Sequence, residues 1–250
     1  MKPSANPAAL VDSDAIRRFH EIVYLRHAWP EGAVLAVVTM KKGRSGVRTN
    51  RIPVRDGDAL VELCQRCVQA GAEAYVNVAP QDSSTAGFDI GVRGGKKTAL
   101  SLPALFVDVD TADGVHKVAG RDGELPLPSR SEAVELMRSI PLAVTVLVET
   151  GGGYHCWCAL DEPLDWRSPD GAEVLRRWKY ALEQVFAAAG RHLDTGVVSD
   201  PARMLRVPGT VNFKRDGDPR PVRLLVEWPE PAPTTQSVVE VATDDRADAA

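Results

Sequence analysis

Two aspartates stand two residues apart at the end of an apolar run, in "LFVDVDTADG" over residues 105–114. Alternate side chains of an extended strand share a face. Asp108 and Asp110 therefore point together, Phe106 lies further in on the same face, and Val107 and Val109 point the other way. Two carboxylates held close repel each other unless a proton or a cation sits between them. Mg2+ or Mn2+, with phosphate oxygens completing its shell, is a common solution. The plain alternative is a turn, because aspartate is frequent where strands end.

A second feature is "VETGGGYHCWCAL". Three successive glycines can expose backbone N–H groups to a phosphate, and they suit a tight hairpin turn equally well. His155 follows this turn and alternates with Tyr154 and Cys156, on the face shared with Trp157. A lone histidine there reads as a core residue; beside an aspartate pair on a neighbouring strand it becomes a candidate phosphate ligand.

The third is "RHLDTGVVSDPARMLRVPGTVNFKR", residues 191–215. It supplies the acids Asp194 and Asp200 and the cations Arg203, Arg206, Lys214 and Arg215. Asp200 before Pro201 reads as a turn, and the cations read as a solvated face. Arg206 differs, since it lies among Met204, Leu205 and Val207, where a charge is costly unless an anion or an acid meets it.

The elements that must carry these residues mix helices and strands from the start. "DSDAIRRFHEIVYLRH" has Ile16, Phe19, Ile22 and Val23 at helical spacing behind Asp and Ser caps. Strands are expected over "AVLAVVTM" (33–40), "RTNRIPV", "AEAYVNVAP" and "ALFVDVD", with helices over "DALVELCQRCVQAG" and "SEAVELMRSI". "LAVTVLVET" and "YHCWCAL" read as a hairpin around the glycines. A long helix follows, with Val174, Leu175, Trp178, Leu182 and Val185 on one face and its end at Gly190. "ARMLRVPG" and "PVRLLVEW" give late strands.

The 250 residues, 44% of them apolar, suffice for a real core. They lead us to expect one α/β domain over residues 1–230 and a flexible acidic tail or linker over 231–250. A net charge of −4 argues against a generally basic nucleic-acid coat. No apolar run approaches a membrane span, and "MKPSANPAAL" lacks the pattern of a secretory signal, so a cytoplasmic location is expected. Cys64, Cys67, Cys156 and Cys158 raise a four-thiolate zinc site, but helical spacing makes buried thiols the simpler account.

Taken together, "FVDVD", "TGGGYH" and "HLD", in that order, resemble the three motifs of the archaeo-eukaryotic primase superfamily, of the plasmid and phage primase-polymerase type. "LDTGVVSDPARMLRVPGTVNFK" extends the resemblance, and the match covers roughly residues 100–215 in three places. Thr150 stands where serine is often found, and Asn212 where cellular primases often have histidine. The resemblance implies an RRM-like catalytic sheet with an additional N-terminal α/β module. It implies that Asp108, Asp110 and Asp194 hold two divalent cations, Mg2+ or Mn2+, with Asp194 preferred to Asp200 as the third acid. Thr150, Gly152 and His155 would contact the phosphates of the incoming nucleotide, Asn212 stands at a nucleotide-contact position, and Arg206 and Lys214 would supply countercharge. The implied activity is templated nucleotidyl transfer from NTPs or dNTPs on single-stranded DNA.

Arg93, Lys96 and Lys97 before the first motif read either as a basic loop or as a grip on template or triphosphate. No Walker A pattern is found, so a helicase would belong to another chain or a fused segment. Two other readings share these residues: a metal-dependent nuclease or other nucleotidyl transferase, and a non-catalytic nucleic-acid or nucleotide-binding module.

Overall fold

The computed structural model describes residues 11–41, 47–86, 88, 91–114, 125–215 and 217–227. The segment 231–250, expected as a tail, lies outside the described residues. Two compact units emerge. One comprises residues up to Leu100 with Val148–Gly151 and Pro201–Leu225; the other comprises Ser101–Leu147 and Gly152–Asp200.

The first unit begins with helix α1 (Ser13–His20), capped by Asp12, whose carboxylate accepts from the Ala15 N–H at 3.0 Å. The chain then widens into a π-helical turn, Glu21–Leu25. Ile16, Phe19 and Val23 are buried as expected, but Tyr24 is buried where Ile22 was expected and Ile22 is only half-buried. One extra residue in the wider turn rotates the apolar stripe, which a constant helical period cannot anticipate. The Tyr24 hydroxyl donates to the Asn77 carbonyl at 2.9 Å.

The sheet of this unit is centred on β1 (Ala33–Met40). Strand β2 (Arg48–Pro53) pairs antiparallel along one edge of β1, while β3 (Glu73–Asn77) and β4 (Gln81–Asp82) pair in succession along the other. Strand β8 (Met204–Arg206) extends the sheet beyond β3. Helix α2 (Gly57–Gln69) buries Leu60, Cys64, Cys67 and Val68. A ribbon of β9 (Val211–Asn212) and β10 (Arg220–Pro221) completes the unit; β11 (Arg223–Glu227), whose last two residues count with the second unit, is next to β6 (Val146–Glu149) in the sheet order.

In the second unit β5 (Leu102–Asp110) runs antiparallel to β7 (Gly153–Leu164), and β6 flanks β7 on its other side. The glycine-rich segment thus forms the expected turn between β6 and β7. Strand β6 starts later than expected: Leu142 and Val144 are buried, but regular structure begins at Val146. Before it, Thr145 spends its backbone N–H on the Trp157 carbonyl and its hydroxyl oxygen on the Ala159 N–H.

Helix α3 (Arg130–Arg138) opens with a reciprocal capping box between Ser129 and Glu132. Helix α4 (Pro169–Ala188) buries Val174, Leu175, Trp178, Leu182 and Phe186, and ends before Gly190 at φ +64°. Val185, expected on this face, is half-buried; Phe186, four residues beyond Leu182, takes the place. The Trp178 indole donates to the Phe106 carbonyl at 3.0 Å, tying α4 to the strand that carries the aspartates.

The fold class is α/β, as expected, and its strands pair antiparallel. Among the described residues no helix is long and apolar enough to cross a membrane.

Candidate active site

The register of β5 and β7 builds the centre of the site. Phe106 lies opposite Trp157, Asp108 opposite His155, and Asp110 opposite Gly153. Directly opposed residues of an antiparallel pair share a face. One face of the ladder therefore reads, from the interior outward, as an aromatic pair, then Asp108 with His155, then Asp110. The Phe106 and Trp157 ring centroids are 6.2 Å apart, and both side chains are fully buried. His155 is 3% exposed, and its Nε2 lies 3.5 Å from Asp108 Oδ1. Asp108 is about one-fifth exposed and Asp110 is at the surface. The aromatic rung makes the inner end apolar, so the carboxylates can act only outward.

Why Gly153 faces Asp110 is steric. A Cβ on Gly153 would lie 2.1 Å from the Val109 carbonyl oxygen, so only glycine lets β7 start this close to β5. Gly151 is fixed by conformation, at φ +79°, and by a Cβ that would come within 2.7 Å of Arg220 Cβ. At Gly152 the nearest atom among the described residues would be 3.8 Å away, an ordinary contact. Of the three glycines, Gly152 is the one that packing among the described residues does not explain.

The loop after β5 is held by charge. Thr111 donates to Asp113 at 2.8 Å and also to the Gly152 carbonyl at 3.2 Å, and Arg130 Nε donates to the other Asp113 oxygen at 2.8 Å. Partial burial pushes the Asp113 carboxyl up, but the bonds from Arg130 and Thr111 outweigh it and leave its pKa below the ordinary value. Arg130, which no motif reading singled out, thereby braces the turn that follows the aspartates.

Asp194 lies exposed in the loop after α4, where its Oδ1 accepts from the Gly196 N–H at 3.1 Å. Thr195 anchors that loop to Glu183 on α4 at 2.8 Å. Asp200 closes a turn through a bond from its N–H to the Val197 carbonyl. Among the described residues, no three His, Cys, Asp or Glu side chains stand close enough to hold a metal ion between them. The donor chemistry of Asp108 and Asp110, two oxygen ligands projected from one strand face at the protein surface, suits a hard divalent cation.

The remaining motif residues belong to the first unit. Asn212 Nδ2 donates to the Thr150 carbonyl at 2.7 Å, while its Oδ1 accepts from the Lys214 N–H at 2.9 Å. Arg220 Nη1 donates to the Gly151 carbonyl at 2.6 Å. Thr150 is buried and Lys214 is exposed. Arg206 meets the requirement set by its apolar frame through an acid: its Nε and Nη2 reach Glu73 Oε1 at 3.1 and 2.7 Å, and its guanidinium lies 4.9 Å from the centre of the Tyr75 ring. Arg93, Lys96 and Lys97 fall in the connection between β4 and β5.

The thiols act as apolar groups. Cys64 and Cys67 are buried in α2, Cys156 and Cys158 in β7; burial pushes the Cys67 thiol up to about 11 and raises Cys64 and Cys156 as well.

No protein-family model matches the chain, and no curated protein matches it. Solved structures do. The crystal structure of primase RepB′ aligns over 95% of this chain with a TM-score of 0.56 and 12% identity; the chain spans 64% of that protein's length. The catalytic domain of primase RepB′ in complex with initiator DNA aligns over 95% of this chain and 96% of its own, at a TM-score of 0.55 and 12% identity. A polymerase domain from Mycobacterium tuberculosis ligase D in complex with DNA aligns over 97% of this chain and 91% of its own, at 16% identity and a TM-score of 0.40, too low to add to the assignment. With nearly the whole RepB′ catalytic domain matched, the chain has the primase catalytic-domain fold to which its three motifs pointed.

Proposed function

We propose that this chain is a template-directed primase-polymerase domain that transfers nucleotides from NTPs or dNTPs on single-stranded DNA. The observation that supports it most is the rung pairing Asp108 with His155 beside Asp110, on a fold shared with a primase catalytic domain. Asp108 and Asp110 would hold Mg2+ or Mn2+, with Asp194 as the third acid. The chemistry such a cation would supply there is neutralisation of phosphate charge and a lowered pKa for the attacking 3′-hydroxyl.

The chain's own groups would do the rest. His155, flanked by a carboxylate and backed by an aromatic pair, is held in one orientation to donate to a triphosphate oxygen. Gly152 leaves room for a phosphate beside the loop backbone. Asn212 and Arg220 hold the Thr150 and Gly151 carbonyls and so fix the loop. Asn212, whose amide nitrogen and oxygen each bond backbone, would position the loop at the nucleotide-contact position it occupies. Lys214 supplies exposed countercharge. Arg206 would add its charge from a place already shared with Glu73.

The test is incorporation of labelled nucleotide on primed and unprimed single-stranded DNA with Mg2+ or Mn2+, comparing wild type with Asp108→Ala/Asp110→Ala. Templated product that disappears in the variant supports the proposal. No product with either metal overturns it, and template degradation that needs both acids assigns the carboxylates to a nuclease.

A further inference from the structure

Positive charge is concentrated in one stretch of the sequence that includes an edge strand of the first unit's sheet. Between Lys41 and Arg55 the sequence carries six Lys or Arg and no acid, leaving 24 cations against 34 acids elsewhere. Lys42 and Arg44 lie outside the described residues and enter only that count. Of the described four, Lys41 donates to the Ala70 carbonyl at 2.7 Å, and the three arginines lie on β2, an edge strand, and on the turn that follows it. Arg48 and Arg55 are exposed; Arg51 is half-buried with its guanidinium carbon 4.2 Å from the centre of the Phe88 ring.

Among the described residues none of these three arginines forms an ion pair, although acids are near in sequence. Asp56 is spent capping α2 through the Ala59 N–H, and Asp58 pairs with Arg17 at 3.1 Å. The Arg51 Nε is buried with no hydrogen-bond partner. Charge that guards a sheet edge against pairing with another edge can have either sign. An edge of a single sign, in a chain whose net charge is opposite, suits a polyanion.

We propose that the β2 edge, through Arg48, Arg51 and Arg55, is a binding surface for the phosphate backbone of single-stranded DNA. The partner's identity rests on the primase-polymerase reading above; the surface itself rests on charge and exposure. Contacts to phosphate would hold a strand without reading its sequence, and each would displace counterions. The stacked Arg51 would present its outer edge to phosphate, with its orientation set by Phe88.

The experiment is fluorescence-anisotropy titration of labelled oligothymidylate across a KCl series. It compares wild type, Arg48→Glu/Arg55→Glu, and an Arg26→Glu/Lys179→Glu control of equal charge change at exposed or half-exposed sites elsewhere. The β2 variant is expected to lose about ten-fold or more in affinity and about 1.4 in the slope of log K against log[KCl], roughly 0.7 per phosphate contact on single strands. The control is expected to keep the wild-type slope. A β2 variant that keeps the wild-type slope, or drops no more than the control, overturns the proposal. Templated incorporation by wild type is measured alongside. Incorporation with an unchanged variant slope removes the surface and leaves the polymerase reading, whereas salt-dependent binding lost in the variant without any incorporation removes the polymerase reading and leaves the surface.

Discussion

Asn212 and Arg220 are direct register partners in the two-stranded ribbon of β9 and β10, and they donate to the successive carbonyls of Thr150 and Gly151. One rung of a short ribbon thus holds two consecutive peptide units of the glycine loop. Arg220→Ala is expected to raise KM for the nucleotide several-fold with a smaller effect on kcat, because a loosened loop weakens phosphate binding before it alters the reacting groups. Arg220→Lys, which keeps a donor but shortens the reach, should recover part of the loss. Steady-state incorporation kinetics across nucleotide concentration check this, with thermal melting to show that the fold persists.

Gly151 and Gly152 are adjacent and should respond differently to the same change. Gly151→Ala puts a side chain at φ +79° against Arg220, and a loss of roughly 1–3 kcal/mol in stability is expected. Gly152→Ala meets no atom of the described residues closer than 3.8 Å, so its stability should stay within about 0.5 kcal/mol of wild type while nucleotide affinity falls. Denaturant melts paired with a nucleotide-binding titration separate the two. Equal affinity in Gly152→Ala and wild type would remove this glycine from the phosphate site.

Much of the site was legible because it is local. Period-two alternation alone places Asp108 and Asp110 on one face, and the short glycine turn returns His155 towards it. The register that sets His155 against Asp108 follows once β7 starts at Gly153. Arg220 was not legible: its role depends on pairing with Asn212 across a turn, and "RDGDPRP" carries no periodicity that would announce a two-residue strand. Tyr24 was missed because one wide helical turn shifts phase, and Phe186 because positions three and four residues beyond Leu182 are equally good helical neighbours until packing chooses. The partner of Arg206 was foreseen only as a need for an anion or an acid; Glu73, far away in sequence, becomes its neighbour through the β3–β8 pairing.

His20 should make stability depend on pH in a window of its own. Burial is the largest influence and lowers its pKa from 6.5, outweighing the bond to the Val54 carbonyl at 2.8 Å and the nearby charges of Asp56 and Glu21. The folded chain therefore favours neutral imidazole, whereas the unfolded chain takes up a proton near 6.5. More protons bound in the unfolded state mean that stability falls as pH drops below 6.5, until the folded form also protonates. The strongly lowered carboxylates Glu132 and Glu173, held at about 2 chiefly by Arg191 and by Arg176, lose their contribution only below about 4.5. Chemical denaturation between pH 7 and 5 should show the decline, and His20→Gln should flatten it.

Arg206 and Glu73 offer a way to divide structure from chemistry at a motif cation. Both side chains are about 15% exposed, 14% and 15% respectively, and they meet at 2.7 Å. Removing one partner of so enclosed a pair leaves the other charge poorly solvated, which costs about 3–5 kcal/mol; replacing both with apolar groups of similar volume is often neutral or stabilising. Arg206→Met alone should therefore lower the unfolding midpoint sharply, and Arg206→Met/Glu73→Leu should restore most of it. The activity of the double variant carries the decision. Wild-type incorporation in a refolded, stable double variant assigns Arg206 to the join between β8 and β3. A stable double variant with kcat reduced a hundred-fold or more at unchanged template affinity assigns its charge to the transferring phosphates, because restored packing leaves the missing cation as the remaining difference.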